Sequence, residues 1–482
     1  MSQASTERPE THSAKVIGVT VAAAVGGFLF GFDSSVVNGA VDSIQGQFKL
    51  GDFVVGFAVA VALLGCAVGA WFAGQLADRI GRKKVMLIAA VLFVVSSIGA
   101  GLANSVEWLI IWRIIGGLGI GTASVIAPAY ISEIAPARYR GALASTQQLA
   151  ITLGIFAALL SDAILAGAAG SASNSYWFGL EAWRWMFMVG VVPAVIYGLL
   201  SLAIPESPRY LVAKNLDEEA AQVLSRVTGE PHPAERIKEI RITLRRDSRA
   251  SFKDIMGEHG GLHPLVWVGM GLAVLQQFVG INAIFYYSTT LWKSVGFSES
   301  QSFTTSVITA VVNVVMTFVA ILFVDRVGRR KLLLSGSAGM FLGLLMACIA
   351  FTQQIGSGDD VSLPGNWGVL ALVGANLFVV CFAATWGPIM WVMLGEMFPN
   401  RMRAIALGLC TAVNWIANFV VSLLFPKLAQ TVGLGWIYGG FAFFAFISFI
   451  FVRTLVPETK GMELEDMQGN TNRTPTSTAT NS

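Results

Sequence analysis

Twelve long apolar runs divide this 482-residue chain, at about 16–39, 53–76, 84–103, 107–131, 141–166, 183–204, 264–291, 302–325, 330–352, 367–394, 402–426 and 434–456. Each is long enough to cross a bilayer as a helix, which takes roughly 20 residues. The runs are continuous rather than alternating, which excludes a transmembrane β-barrel. Composition agrees: 55% of residues are hydrophobic and 13% charged, against about a quarter charged in soluble proteins. The expected fold class is an all-α membrane protein of twelve transmembrane helices.

The connections between runs repeat. Asp78-Arg79-Ile80-Gly81-Arg82-Lys83-Lys84 returns as Asp325-Arg326-Val327-Gly328-Arg329-Arg330-Lys331, 247 residues later. Glu133-x-x-Pro136-x-x-x-Arg140 is matched by Glu396-x-x-Pro399-x-x-x-Arg403 at an offset of 263, and Pro205-Glu206-Ser207 by Pro457-Glu458-Thr459 at 252. Three motifs in one order imply a duplication: an N-terminal tail (1–15), a six-helix half (16–204), a linker (205–263), a second six-helix half (264–461) and a C-terminal tail (462–482). Halves of this kind rock against each other around a site near the bilayer midplane.

Charge sets the orientation. Lys and Arg crowd the even-numbered connections, including the two repeated turns, Arg138 and Arg140, and Arg401 and Arg403; Lys49, Lys293 and Lys427 are scattered exceptions. Positive-inside bias then places both termini in the cytoplasm of a cell membrane. The linker holds ten Lys/Arg and ten Asp/Glu, so it reads as a solvated spacer and not a polybasic lipid-binding segment. Within it, 216–228 and 234–246 have the periodicity of short amphipathic helices. The Thr-, Asn- and Ser-rich tail reads as disordered. Residues 1–15 are polar and the first apolar run is too long for a cleaved signal. Cys66, Cys348, Cys381 and Cys410 all fall inside apolar runs, without metal-site spacing.

The chain resembles the sugar porter branch of the major facilitator superfamily, which includes human facilitative glucose transporters and bacterial xylose–proton symporters. The residues that carry the likeness are Gly74-Gln75-Leu76-Ala77-Asp78-Arg79-Ile80-Gly81-Arg82-Lys83, Pro205-Glu206-Ser207-Pro208-Arg209, Gln276-Gln277-Phe278-Val279-Gly280-Ile281-Asn282 and Pro457-Glu458-Thr459-Lys460-Gly461. They cover all but the tails, and they specify the family far better than the cargo. The resemblance implies a major facilitator fold and secondary transport of a monosaccharide, with no cofactor, no metal and no enzymatic activity.

Amides inside apolar spans need partners, because an unpaired polar group in hydrocarbon costs several kcal/mol. Gln147, Gln148, Gln276, Gln277, Asn282, Asn313, Asn414 and Asn418 are such residues. Hydrogen bonding between helices is their common use. On a straight helix Asn282 would lie about 140° from Gln277. The two can face one cavity only where the helix is broken, and Gly280 permits a break. Neutral carboxamides that donate and accept suit a neutral polyol, with Trp391 and Trp415 available for the apolar faces of its ring. The resemblance implies that Gln148, Gln276, Gln277, Asn282, Asn313, Trp391, Asn414 and Trp415 line the sugar site, with Phe30, Tyr286 and Gly387 beside it. Ile155 and Asn414 stand where xylose symporters carry glutamine, which favours a hexose such as glucose; Ala383 replaces a glutamate of some human members. A pentose or myo-inositol stays open.

An acid inside a span is costly enough to imply function, and Asp33 lies in the first. Counting rise, Asp33 is about 26 Å from the inner end of its span and Arg113 about 9 Å from the outer end of the fourth, so the two lie at similar depth. A neighbouring cation favours the ionised acid, and burial without it favours the neutral one. A pair that separates during transport would therefore couple a proton to the cargo, while a permanent pair would only brace two helices. Proton-coupled relatives carry Asp here and glucose uniporters Asn. All four histidines lie in hydrophilic segments. Asp162 is a weaker candidate for that role, because it lies near the outer end of span five.

Other classes fit poorly. Gly117-Leu118-Gly119-Ile120-Gly121 has the look of a dinucleotide loop, but it sits within a span and suits close helix packing. The basic residues hug the membrane and do not form a face for nucleic acid. A facilitative uniporter and a transporter-like sugar sensor are the alternatives; a monomer with sugar and protons as partners is expected. Asp78, Arg79, Arg82, Glu133, Arg140, Glu206, Asp325, Arg329, Glu396 and Arg403 read as a cytoplasmic network that latches the halves while the outside is open.

Overall fold

The computed structural model describes residues 9–134, 140–247, 255–257, 261–355, 362–399 and 402–459, without the side chains of 9–15, 140–146, 245–247, 325 and 404. Among them, twelve helices are long and apolar enough to span a bilayer: Val16–Phe48, Asp52–Ile80, Arg82–Gly101, Val106–Ile134, Gln147–Ala169, Ala182–Ala203, Pro264–Tyr286, Glu299–Val324, Arg329–Thr352, Trp367–Glu396, Ile405–Thr431 and Leu434–Leu455. They are spans one to twelve below. Span one outruns its apolar stretch because its last turns carry polar residues, Asp42 and Ser43 among them, that find partners.

Helix neighbours repeat with a shift of six. Span one packs on five as seven does on eleven, two on four as eight on ten, three on four as nine on ten, and three on six as nine on twelve. Between the halves, two packs on eleven and five on eight, and those two contacts are each other's equivalents. The repeated turns match in backbone as well, with Gly81 at φ +98° and Gly328 at φ +100°, a region that a side chain would strain.

Small residues let spans two and four meet backbone to backbone. A Cβ on Gly117 would stand 2.1 Å from the Ala62 carbonyl oxygen and one on Gly121 2.0 Å from that of Cys66. Reciprocally, Cβ atoms on Gly65 and Gly69 would stand 2.5 and 2.2 Å from the Ile114 and Leu118 oxygens. The glycine run of span four is thus a packing seam against span two.

In the linker, helices Pro208–Ala213, Asp217–Val223 and Pro233–Asp247 enclose a small core of Leu211, Val212, Ala220, Leu224 and Ile237. Ser207 starts the first by accepting from the Arg209 and Tyr210 amides. No strand occurs among the described residues beyond isolated bridges.

Candidate functional site

Span seven is interrupted. Helix Pro264–Phe278 stops, Gly280 adopts φ +85°, and Ile281–Tyr286 resumes, followed after Tyr287 by Ser288–Lys293. The Phe441 ring packs where a Cβ of residue 280 would lie, at 2.3 Å. The break swings Asn282 back over the preceding turn, so that its Nδ2 donates to Gln277 Oε1 at 2.6 Å.

Those two amides belong to a chain. Gln277 Nε2 donates to Asn414 Oδ1 at 3.2 Å and to Gln276 Oε1 at 3.3 Å. Asn414 Nδ2 returns a bond to Gln276 Oε1 at 2.9 Å and reaches the Ala273 carbonyl at 3.0 Å. Gln276 Nε2 donates to the Trp386 and Gly387 carbonyls, at 3.0 and 3.4 Å, where span ten is itself broken. Spans seven, ten and eleven are thereby joined through four neutral amides.

Beside Asn414, the Trp415 ring meets Phe30 of span one edge-on, with centroids 5.2 Å apart. This contact crosses between the halves, and the buried Trp415 Nε1–H has no acceptor among the described residues. Tyr286 accepts from Asn418 Nδ2 at 3.3 Å, and Asn418 accepts from Ser422 at 3.1 Å. Gln148 and Trp391 are half-buried and Asn313 is buried; among the described contacts none of the three hydrogen-bonds the amide chain.

Arg113 Nη1 donates to Asp33 Oδ1 at 2.9 Å, and both are almost enclosed. The guanidinium also reaches the Asp33 and Val59 carbonyls, at 3.4 and 3.5 Å, while its Nε–H has no partner among the described residues. A small cavity touches this pair and is walled by Phe30, Ser34, Cys66 and Tyr286. The ion pair and the aromatic edge of the amide site therefore border one space. Asp162 is separate: it accepts from the Gly39 amide at 3.2 Å.

Polar ties between the halves gather at the end predicted to face outward. Thr289 Oγ1 donates to the Asn38 carbonyl at 2.7 Å, and its amide donates to Asn38 Oδ1 at 3.0 Å. Asp42 accepts from Thr290 at 2.7 Å and pairs with Lys293 at 2.8 Å. Glu299 accepts from Ser171 Oγ at 2.9 Å and from the Ala172 amide at 3.0 Å. Sequence reasoning missed these residues, because Thr and Ser hardly alter an apolar profile. Lys293 offered a signal as an exception to the charge rule.

At the opposite end, among the described residues, an arginine–glutamate pair lies inside each half. Arg82 grips Glu133 through two bonds of 3.1 and 3.0 Å and bridges Asp78 at 3.0 Å, while Glu206 accepts from the Arg82 amide at 2.9 Å and Ser207 caps Glu133. In the second half Arg329 grips Glu396 at 3.1 and 2.9 Å, Glu458 accepts from the Arg329 amide at 3.0 Å, and Thr459 caps Glu396 at 2.6 Å. Two expected members stand apart. Arg79 is exposed, and the Arg403 guanidinium turns back to the Phe398 carbonyl, at 3.1 and 3.2 Å. The side chains of Arg140 and Asp325 lie outside the described residues, as do Arg138 and Arg401.

A family model described as sugar (and other) transporter matches residues 19–470. The chain is 52% identical over 455 residues to a glucose transport protein of Synechocystis sp., covering 94% of this chain and 97% of that one. It is 33% identical to the D-xylose-proton symporter of Escherichia coli over 95% of this chain and 96% of that one. The inward-open structure of the xylose transporter from E. coli superposes with a TM-score of 0.80 at 32% identity, covering 94% of this chain and 99% of that one.

Proposed function

The chain belongs to the sugar transporter family, the sugar porter branch of the major facilitator superfamily, and on that premise we propose that it imports a monosaccharide together with protons by alternating access. It is a transporter and not an enzyme. One observation carries the reading: the cavity at the Asp33–Arg113 pair is walled by Phe30 and Tyr286, and the Phe30 ring touches Trp415, the neighbour of Asn414 in the amide chain. Sugar that binds the amides and packs on Trp415 would disturb Phe30, and with it the wall of the cavity holding the ion pair. A proton taken by Asp33 would free Arg113 and loosen spans one and four.

The favoured cargo is a hexose such as glucose. The 52% identical relative is a glucose transport protein, and the family resemblance implies that Asn414 and Ile155 stand where xylose symporters carry glutamine. Gln148, Asn313 and Trp391 complete the site on this reading, meeting the sugar from spans five, eight and ten. Two six-helix halves move about it, residues 205–263 form a cytoplasmic linker, and both termini face the cytoplasm of the cell membrane. Outer ties at Asn38–Thr289 and Asp42–Lys293, with within-half pairing at the other end, support assigning this conformation to an outward-closed state of a monomer.

Purified protein in liposomes tests both halves of the proposal. Labelled glucose should accumulate when an inward proton gradient is imposed, and collapse of the gradient with a protonophore should release it. Simple equilibration insensitive to the gradient would make the protein a uniporter. A competition series with pentoses and myo-inositol against labelled glucose then ranks the cargo.

A further inference from the structure

The chain between spans five and six turns at Tyr176, Trp177 and Phe178. Phe178 has φ +56° and ψ +23° and is 92% exposed, with Trp177 58% exposed beside it. A bulky side chain in the left-handed region is strained. Gly179, the next residue, is left-handed too, at φ +74°, so the turn places two such residues in a row and one of them is aromatic. The exposed rings are ordered all the same: Tyr176 stacks on Trp177 at 4.9 Å, Trp177 meets Trp185 edge-on at 5.7 Å, and Trp185 Nε1 donates to the Trp177 carbonyl at 3.2 Å. Residues 170–180 contain no charge.

The position of Trp185 shows which way the cluster faces. Val192 and Leu199, seven and fourteen residues further along span six, are 60% and 61% exposed on an apolar helix. At 100° per residue they lie within about 40° of Trp185. The aromatic tip therefore continues the lipid-facing stripe of span six, just past its end. Amphipathic rings at that level are the residues that bilayer interfaces favour.

We infer that Tyr176-Trp177-Phe178 is an interfacial anchor, seated in the headgroup layer of the bilayer where spans five and six turn. This rests on the membrane-spanning fold alone and is independent of cargo and coupling. Phe178→Cys carrying a nitroxide, reconstituted in phosphatidylcholine–phosphatidylglycerol vesicles, tests it, with the unsubstituted protein labelled in parallel to subtract native cysteines. Collision with dissolved oxygen should exceed collision with a water-soluble nickel chelate severalfold, and a label at Glu239→Cys in the linker should show the reverse. Trp177→Cys provides the same reading if the first variant fails to fold. Preferential collision with the nickel chelate would put the loop in water and overturn the anchor. Spin–spin broadening that vanishes on dilution with unlabelled protein would assign the loop to a contact between copies, and would overturn it as well.

Discussion

Asn282 Nδ2 and Gln277 Oε1 meet at 2.6 Å although a straight helix would point them apart. Gly280 makes the contact possible, in a conformation that costs an ordinary residue about 1–2 kcal/mol. Its missing Cβ also leaves room for Phe441, whose ring would lie 2.3 Å from that atom. Gly280→Ala should therefore cut sugar uptake more than tenfold. Gly280→Ala with Phe441→Leu relieves the clash but not the backbone strain, so it should recover only part. Initial uptake rates with matched membrane expression check this; full activity in Gly280→Ala would sink it.

Asp33→Asn removes the titratable acid and keeps an oxygen for Arg113 Nη1. Losing one partner of a buried ion pair costs about 3–5 kcal/mol, and the Asp33 and Val59 carbonyls, which also accept from Arg113, should soften that loss. The expected variant folds, exchanges sugar in counterflow at near the normal rate, and no longer accumulates it against a gradient. Sugar-induced proton uptake, read with a pH electrode in lightly buffered vesicles, should vanish. Unchanged accumulation would leave the pair as a structural brace.

The legible parts of this protein are those where chemistry contradicts its surroundings. Asp33, Arg113 and the amides stand out because hydrocarbon penalises them, and counting rise along two helices placed Asp33 and Arg113 at one depth. Gly280 stood out because two amides needed it. Asn38, Thr289 and Thr290 were illegible for the converse reason: their hydroxyl and amide groups are satisfied across the halves only after both halves have folded. The direction of each cytoplasmic pair was hidden too. Motif spacing names Arg82 and Glu133 but cannot say whether a partner comes from the same half or the other. Phe178 gave no sign at all, since its strain depends on a turn closed by Tyr176 and Leu180.

Arg82 and Arg329 occupy equivalent turns but unequal surroundings. The Arg82–Glu133 pair is nearly enclosed, with side chains 10% and 11% exposed, whereas Glu396 opposite Arg329 is 32% exposed. Breaking an enclosed pair strands a charge at about 3–5 kcal/mol, and water softens the second loss. Arg82→Ala should lower the melting temperature in detergent clearly more than Arg329→Ala does. Both should enrich inward-open protein, measured by thiol labelling of a cysteine in the cytoplasmic cavity. Equal melting temperatures would refute the asymmetry.

Lys293 and Asp42 tie the second half to the first at the outer end, 2.8 Å apart and each about one-third exposed. Burial alone would lower the Lys293 pKa, but the Asp42 carboxylate, with Glu299 behind it, more than offsets this and holds it above the ordinary 10.5. A raised value in the closed state means that the contribution is complete below the ordinary pKa and fades only as pH climbs through the raised one. Outer closure should therefore not weaken through loss of the lysine proton between neutrality and about pH 10. At this exposure the pair is worth about 0–1 kcal/mol, so Lys293→Ala should raise the outward-open to outward-closed ratio by up to about fivefold. Labelling of a cysteine at Thr290 by an impermeant thiol reagent measures that ratio. The rate should rise in Lys293→Ala relative to the lysine-containing protein at pH 7.5; equal rates would sink the tie.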